Sequence, residues 1–309
     1  TGMRATIVVG VLAVFAIVAV RFLDRRFFEA FRQIQEMNPW WIAGIVFVYL
    51  ATRFLDGEIM RLMLVRLGHP LSHGQGFALV IMRTYTNLLM SKAGTGTLAT
   101  YLKLRHGVRL TDFGSIMLGV TALQVIGIGG AGLIGQTLLT VLFDIPVDVV
   151  TAGLFAGLLV IGIVPAFVRI PVPSSWQGKV GQTMKRFNEG WSMLCTHPGL
   201  LMKISTLQVL VFLLRAARLW LVFRALKYVT RPLGVFLASL LGDLGLLISI
   251  TPMGIGFRET AVAYGADLMN VNTQVSVAVT LIDRCIWSLV VIIAAQIAVW
   301  YMFRSSRVR

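Results

Sequence analysis

The chain has 309 residues, 57% of them hydrophobic and only 13% charged, and a formal net charge of +15. Soluble globular chains carry about twice that share of charge, so the composition describes an all-α polytopic membrane protein and leaves no polar stretch long enough for a soluble domain. In a soluble protein the basic excess would suggest nucleic acid; in apolar sequence it points to loops under the positive-inside bias and to anionic headgroups.

Thr1-Gly2 ahead of Met3 reads as a cloning scar. Ala5–Val20 is a short apolar run ending in Arg21, Asp24, Arg25 and Arg26. It reads as a first transmembrane helix, because no A-x-A-like cleavage site follows. Phe27–Met37 alternates aromatic and charged residues, as an interfacial helix does. Pro39-Trp40-Trp41 opens a second span to about Leu67. Arg53, Asp56, Glu58 and Arg61 lie in its lower part and read first as a snorkelled helix end, with Asp56 placed to pair with an Arg three or five residues away.

Ser72–Met90 is weakly apolar, with Arg83 and Asn87 embedded, and runs into the break Ser91–Thr97. A short helical piece over Leu98–Leu104 follows, then the basic knot Lys103, Arg105 and Arg109. Thr111 or Asp112 caps a span to about Phe143, in which Gly127, Ala131 and Gly135 recur at the four-residue spacing of closely packed helices. Asp144–Asp148 is an acidic turn, and Val149–Val168 is another span. Arg169–Pro198 is the longest polar stretch, with an amphipathic set (Val180, Met184, Phe187, Trp191, Leu194) suited to a membrane surface. Gly199–Phe223 holds Arg215 and Arg218 at its middle; Pro232–Ile250, Phe257–Met269 and Val275–Phe303 complete the chain, the last carrying Asp283 and Arg284.

Between these elements lies Ser249–Thr260, S-I-T-P-M-G-I-G-F-R-E-T. Pro252, Gly254 and Gly256 stop any helix reaching them, and Arg258 and Glu259 place charge where lipid is expected. Broken backbone and charge survive at membrane depth only when buried in protein or lining a watery cavity. The plainer reading is a surface loop with solvated charges.

Leu88–Ser91 and Gly94-Thr95-Gly96 echo Leu246–Ser249 and Gly254-Ile255-Gly256, each in the order span, broken segment, span. The expected architecture is about six full transmembrane helices plus two re-entrant broken helices in an inverted repeat. The first repeat covers about 40–143, the second about 199–303, and 147–198 links them. Three intervening spans put the two broken segments on opposite faces. Termini in the cytoplasm would place Lys103, Arg105, Arg109 and Arg304 inside and Asp144 and Asp148 outside, with Arg21, Arg25, Arg26 and Arg32 against that choice.

T-P-M-G-I-G-F-R-E-T, followed by a short helix and a last span with a charged pair, resembles the lysylphosphatidylglycerol synthase transmembrane-region family, as a free-standing member. Pro252, Gly254, Gly256, Arg258 and Glu259 match its later motif, roughly P-G-G-x-G-x-R-E; Met253 stands where Gly is common. In the earlier motif Gly94 and Gly96 are kept, without its Pro and acid. The resemblance implies movement of lipids between leaflets of a bacterial cytoplasmic membrane, without synthase activity. A flippase passes a polar headgroup through hydrocarbon, which needs a groove lined by charge and free backbone groups. Arg83, Lys92 and Arg258 are suited to a lipid phosphate; Asp243, Glu259 and Asp283 balance them or take a cationic headgroup. Arg258–Asp283 and Glu259–Arg284 bridges are the competing structural role for the same residues.

The expected substrate is an anionic or aminoacylated phospholipid, or a polyprenyl-linked glycolipid. No H-E-x-x-H, G-x-S-x-G or P-loop occurs, and the two cysteines and four histidines form no metal or disulfide pattern. The expectation is no enzyme, no cofactor and no nucleic acid. A homodimer stays open, as does a role as non-transporting partner of a lipid-modifying enzyme.

Overall fold

The structure is a computed structural model that describes residues 32–90, 93–167, 195–248, 256–267 and 271–305, with 178, 181, 188, 191 and 192. The first run Ala5–Val20, most of the polar stretch 169–194, Lys92, Pro252, Gly254 and the last basic residues lie outside that set.

Every regular element among the described residues is a helix: α1 Pro39–Arg66, α2 His73–Leu89, α3 Ala93–His106, α4 Leu110–Phe143, α5 Val149–Phe167, α6 Pro198–Ala225, α7 Pro232–Ile248, α8 Phe257–Asp267 and α9 Thr273–Ser305. Local chemistry sets most starts. Asn38 accepts from the Trp40 amide at 3.0 Å, with Pro39 in the first helical position. Ser72 and Gln75 form a reciprocal capping box on α2. Asp148 accepts from the Thr151 amide at 2.9 Å, and Asn272 from the Gln274 amide at 2.8 Å. Asp144 ends α4 in the left-handed region at φ 52°.

Among the described residues α4, α6 and most of α9 are long and apolar enough to cross a membrane. With 28 residues α1 is about 42 Å long, but the charges along it interrupt its apolar windows. The expected cap of α4 differs: Arg109 is the N-cap without a side-chain bond, and Asp112 instead accepts from the Arg109 guanidinium at 2.9 Å.

The helix lengths run 28, 17, 14 and 34 residues over α1–α4, and 28, 17, 11 and 33 over α6–α9. Packing follows the same series. α1 packs on α2 as α6 does on α7, α2 on α3 as α7 on α8, and α4 on α7 as α9 on α2; α1 and α6 pack on each other. Two apolar clusters mirror one another. One joins the end of α1 and start of α6 to α2, α3 and α4 through Met63, Leu79, Leu102, Phe113 and Ile204. The other joins the start of α1 and end of α6 to α7, α8 and α9 through Ile45, Val222, Ala238, Val262 and Ile282.

α1 and α6 are therefore antiparallel; Arg66 at the end of α1 meets His197 just before α6. Both outer ends of the α2–α3 hairpin lie at that end of the bundle, where Gly74 faces Tyr301 of α9. Both outer ends of α7–α8 lie at the other end, beside the 144–148 and 229–231 loops. Close helix crossings are made at glycine. A Cβ on Gly57 of α1 would stand 2.8 Å from the Phe77 backbone nitrogen of α2. On α4, Gly127 faces Phe212 and Gly135 faces Leu237, while a Cβ on Gly129 would stand 2.7 Å from the Leu159 backbone nitrogen of α5. The four-residue small-residue pattern thus serves two helices, and a neighbouring face serves the third.

Candidate functional site

The charged residues of the helix middles converge. Asp283 of α9 has no exposed side-chain surface, and it receives Arg218 of α6 through two contacts, 2.8 and 3.1 Å. Arg258 of α8 reaches the same carboxylate at 3.0 Å. Glu259 splits its two oxygens: one accepts from the Gly256 amide at 2.7 Å, capping α8, and the other pairs with Arg284 at 2.7 Å. Both bridges expected between the adjacent charged pairs are present, because neighbouring residues on a helix point apart and each must find its partner elsewhere. The surface-loop reading fails for this part of the motif: Arg258 and Glu259 are each only 7% exposed.

Toward α1 the network continues. Arg215 of α6 lies 3.0 Å from Asp243 of α7 and 3.5 Å from Asp56 of α1, and Asp56 also holds Arg53 at 3.1 Å. The Tyr49 ring joins the two halves, with the Arg53 and Arg218 guanidiniums over it at 5.2 and 5.3 Å and Trp287 stacked at 6.1 Å. Asp56 and Arg215 are each the eighteenth residue of a 28-residue helix, so equivalent positions meet where α1 and α6 cross. The snorkelled-end reading of Arg53 and Asp56 is therefore corrected: their side chains are 15% and 18% exposed, inside the bundle. Arg61 pairs with Glu58, not with Asp56, and Glu58 also receives His73.

Arg83 on α2 is half-buried and within Coulombic reach of Asp56, Arg53 and Arg215. Its carbonyl accepts from Thr86 Oγ1 at 3.2 Å, but its guanidinium has no ion-pair or hydrogen-bond partner among the described residues. Gly94 sits below it in the first turn of α3, its amide donating to Asn87 Oδ1 at 2.8 Å. The backbone around Gly94 and Gly96 is helix, not the expected break, since α3 begins at Ala93 rather than Leu98; Gly96 faces open space. Gly256 does stand outside its helix, at φ +90°, where a side chain is strained. Gly245 and Gly242 of α7 allow α8 to approach: a Cβ on Gly245 would meet Arg258 Cα at 3.1 Å.

The structure thus gathers Arg83, Asp243, Arg258, Glu259, Asp283 and Arg284 and leaves Gly96 aside. It adds Arg215 and Arg218, which the sequence reading placed mid-span without a role, Arg53 and Asp56, which it read as a helix end, and Tyr49, which it did not single out. The signal was available: charge in the middle of an apolar span is a site by default. Six guanidiniums (53, 83, 215, 218, 258, 284) face four carboxylates (56, 243, 259, 283) among the described residues, leaving two positive charges in excess. A buried charge without a counter-ion is costly. This centre can therefore accept an anion, and arginine's paired donors match phosphate oxygens.

The family described as Lysylphosphatidylglycerol synthase TM region matches over residues 6–295. A UPF0104 membrane protein of Methanocaldococcus jannaschii is 34% identical over 80 residues, which cover 26% of this chain and 24% of that protein. The match thus spans about a quarter of that relative. No solved structure matches.

Proposed function

The chain belongs to the lysylphosphatidylglycerol synthase transmembrane-region family, and on that premise we propose that it is a lipid flippase, carrying a phosphate-bearing headgroup between the leaflets of a bacterial cytoplasmic membrane. It is a membrane-embedded, all-helical protein of a lipid-related family. The observation that carries the transport reading is the two-charge excess of arginine buried between two hairpins that open to opposite ends of the bundle.

In this reading α2–α3 and α7–α8 are re-entrant elements of an inverted repeat, with α1 and α6 crossing at its pseudo-two-fold axis. The repeated helix lengths and the mirrored clusters support it. α2 and α7 have 17 residues each, about 26 Å, short of a hydrocarbon core near 30 Å. The headgroup phosphate lies against Arg83 while the acyl chains stay in lipid. The paired arginines hold the walls: Asp56 and Asp243 neutralise Arg215 and Arg53, while Arg218 and Arg258 share Asp283 and keep one of the two excess charges. A polyprenyl-linked phosphate monoester brings close to two negative charges to the two-charge excess, and the phosphodiester of an anionic phospholipid offsets one of the two. An aminoacylated phospholipid does so through its phosphate alone. The protein performs no covalent chemistry and needs no cofactor. Both termini lie in the cytoplasm, on the side of Lys103, Arg105 and Arg109.

The test is reconstitution into vesicles holding fluorescent phosphatidylglycerol, with dithionite quenching to follow exchange between leaflets. The reading expects loss of the protected inner-leaflet signal at least tenfold faster than in empty vesicles. Exchange no faster than in empty vesicles favours a non-transporting partner of a lipid-modifying enzyme.

A further inference from the structure

A cavity of about 760 Å³ lies away from the arginine centre, at the end of the bundle where α7–α8 opens. The 144–148 loop, the 229–231 loop and the outer ends of α4, α7 and α8 enclose it. Its chemistry is opposite to that of the centre.

Gln136 of α4, only 6% exposed, lines this cavity. Its Nε2 donates to the Asp148 carbonyl at 2.8 Å and to Thr151 Oγ1 at 3.1 Å. Turning the amide over would set two oxygens against each other, so the orientation is locked and Oε1 is the acceptor left over. Oε1 is buried and has no hydrogen-bond partner, and neither has the buried Thr230 Oγ1 on the same wall. A buried acceptor left unsatisfied is costly, so the site gains from a donor placed there.

Two carboxylates, Asp144 and Asp148, line the cavity with a single cation, Arg231, whose guanidinium lies 4.8 Å from the Phe143 ring centre. Tyr264 of α8 donates to Asp148 Oδ2 at 3.1 Å, tying the hairpin to this loop. Hydrogen bonds from Thr151 keep the Asp148 carboxyl below its ordinary range, so it stays ionised at neutral pH. Among the described residues, the polar part of the lining is acceptor-rich and carries one net negative charge. Its complement is a single cation with several N–H donors, which describes a primary ammonium; lysine-type –NH₃⁺ offers three donors and no acceptor.

We propose that this cavity is a binding site for a primary-amine group, carried by a lipid headgroup or by a free amine. An amine seated there meets Asp144 and Asp148 by charge and Gln136 Oε1 by hydrogen bond. Arg231 stands at the rim, placed for an adjoining phosphate.

Purified protein in detergent would be titrated with phosphatidylethanolamine, soluble ethanolamine and phosphatidylglycerol, with binding read by native mass spectrometry. Saturable binding of an amine probe is expected, weakened at least fivefold in Asp144→Asn and in Gln136→Leu, with phosphatidylglycerol binding unchanged in both. Asp144 is exposed and left-handed, a conformation asparagine also tolerates, so Asp144→Asn keeps the fold if Gln136→Leu does not. Binding of the lipid alone identifies a headgroup site, and binding of ethanolamine as well identifies a site open to free amines. The proposal is overturned if neither amine probe binds the intact protein, or if Asp144→Asn binds them as tightly. The pocket can fill without transport: active exchange with no amine binding sinks this site alone, and amine binding with no exchange sinks only the flippase.

Discussion

Asp283 is enclosed between Arg218 and Arg258, and no water-exposed route is left to its side chain. Removing its charge strands two guanidiniums in the interior. Asp283→Asn should cost about 3–5 kcal/mol, the usual penalty for breaking a buried ion pair. Thermal or denaturant unfolding in detergent measures it. Arg83 should behave the opposite way: with no partner for its guanidinium among the described residues, Arg83→Gln should change stability by less than about 1 kcal/mol while lowering lipid exchange. Similar losses of stability in both variants would make Arg83 part of the lock. The partners of Arg258, Glu259, Asp283 and Arg284 were legible in the sequence, since adjacent charges on one helix must reach outward in different directions. The pairing of Asp56 with Arg215 was not, because it depends on where α1 and α6 cross, and side-chain packing sets that register.

At the scale of elements, glycine decides how closely the helices approach. Gly57 and Gly76 stand against each other at the α1–α2 crossing, and a Cβ on Gly76 would lie 2.7 Å from the Gly57 carbonyl oxygen. Gly57→Ala should force the backbones apart and destabilise by about 1–3 kcal/mol, as overpacking does. Gly96→Ala meets nothing and sits within α3, so it should stabilise by about 0.5–1 kcal/mol through helix propensity. Melting temperatures in one detergent should move in opposite directions; two shifts of the same sign would contradict the assigned crossing. Most helix limits could be read to within a few residues, because proline, asparagine and serine caps and apolar run lengths carry them. The start of α3 could not. Gly94 and Gly96 signal a break by composition, and it is the Gly94 amide donating to Asn87 on the preceding helix that draws the backbone into a turn there.

For the whole molecule, the α1–α4 and α6–α9 series give each end of the bundle one hairpin and one apolar cluster, with the charged network between them. The inverted arrangement predicts that exposed residues at the outer ends of the two hairpins face different compartments. Single cysteines replacing Lys103 and Asp144, on a background with Cys195 and Cys285 changed to serine and alanine, should label from opposite sides of intact cells. A membrane-impermeant maleimide should reach position 144 and not 103. Labelling of both from outside would place the hairpin mouths on one face. The motif Ser249–Thr260 pointed to the second hairpin from sequence alone. Its counterpart on α2 was harder to see, because Arg83 gains meaning only from Asp56, Arg53 and Arg215 standing nearby on other helices.

The most direct test compares lipid exchange by the unmodified protein and by Arg83→Gln in the same phosphatidylglycerol vesicles, at matched amounts of folded protein. A lone guanidinium receiving the phosphate predicts rapid exchange that falls at least tenfold in the variant and partly returns in Arg83→Lys. Equal exchange by all three proteins, or none above protein-free vesicles in any of them, would contradict it.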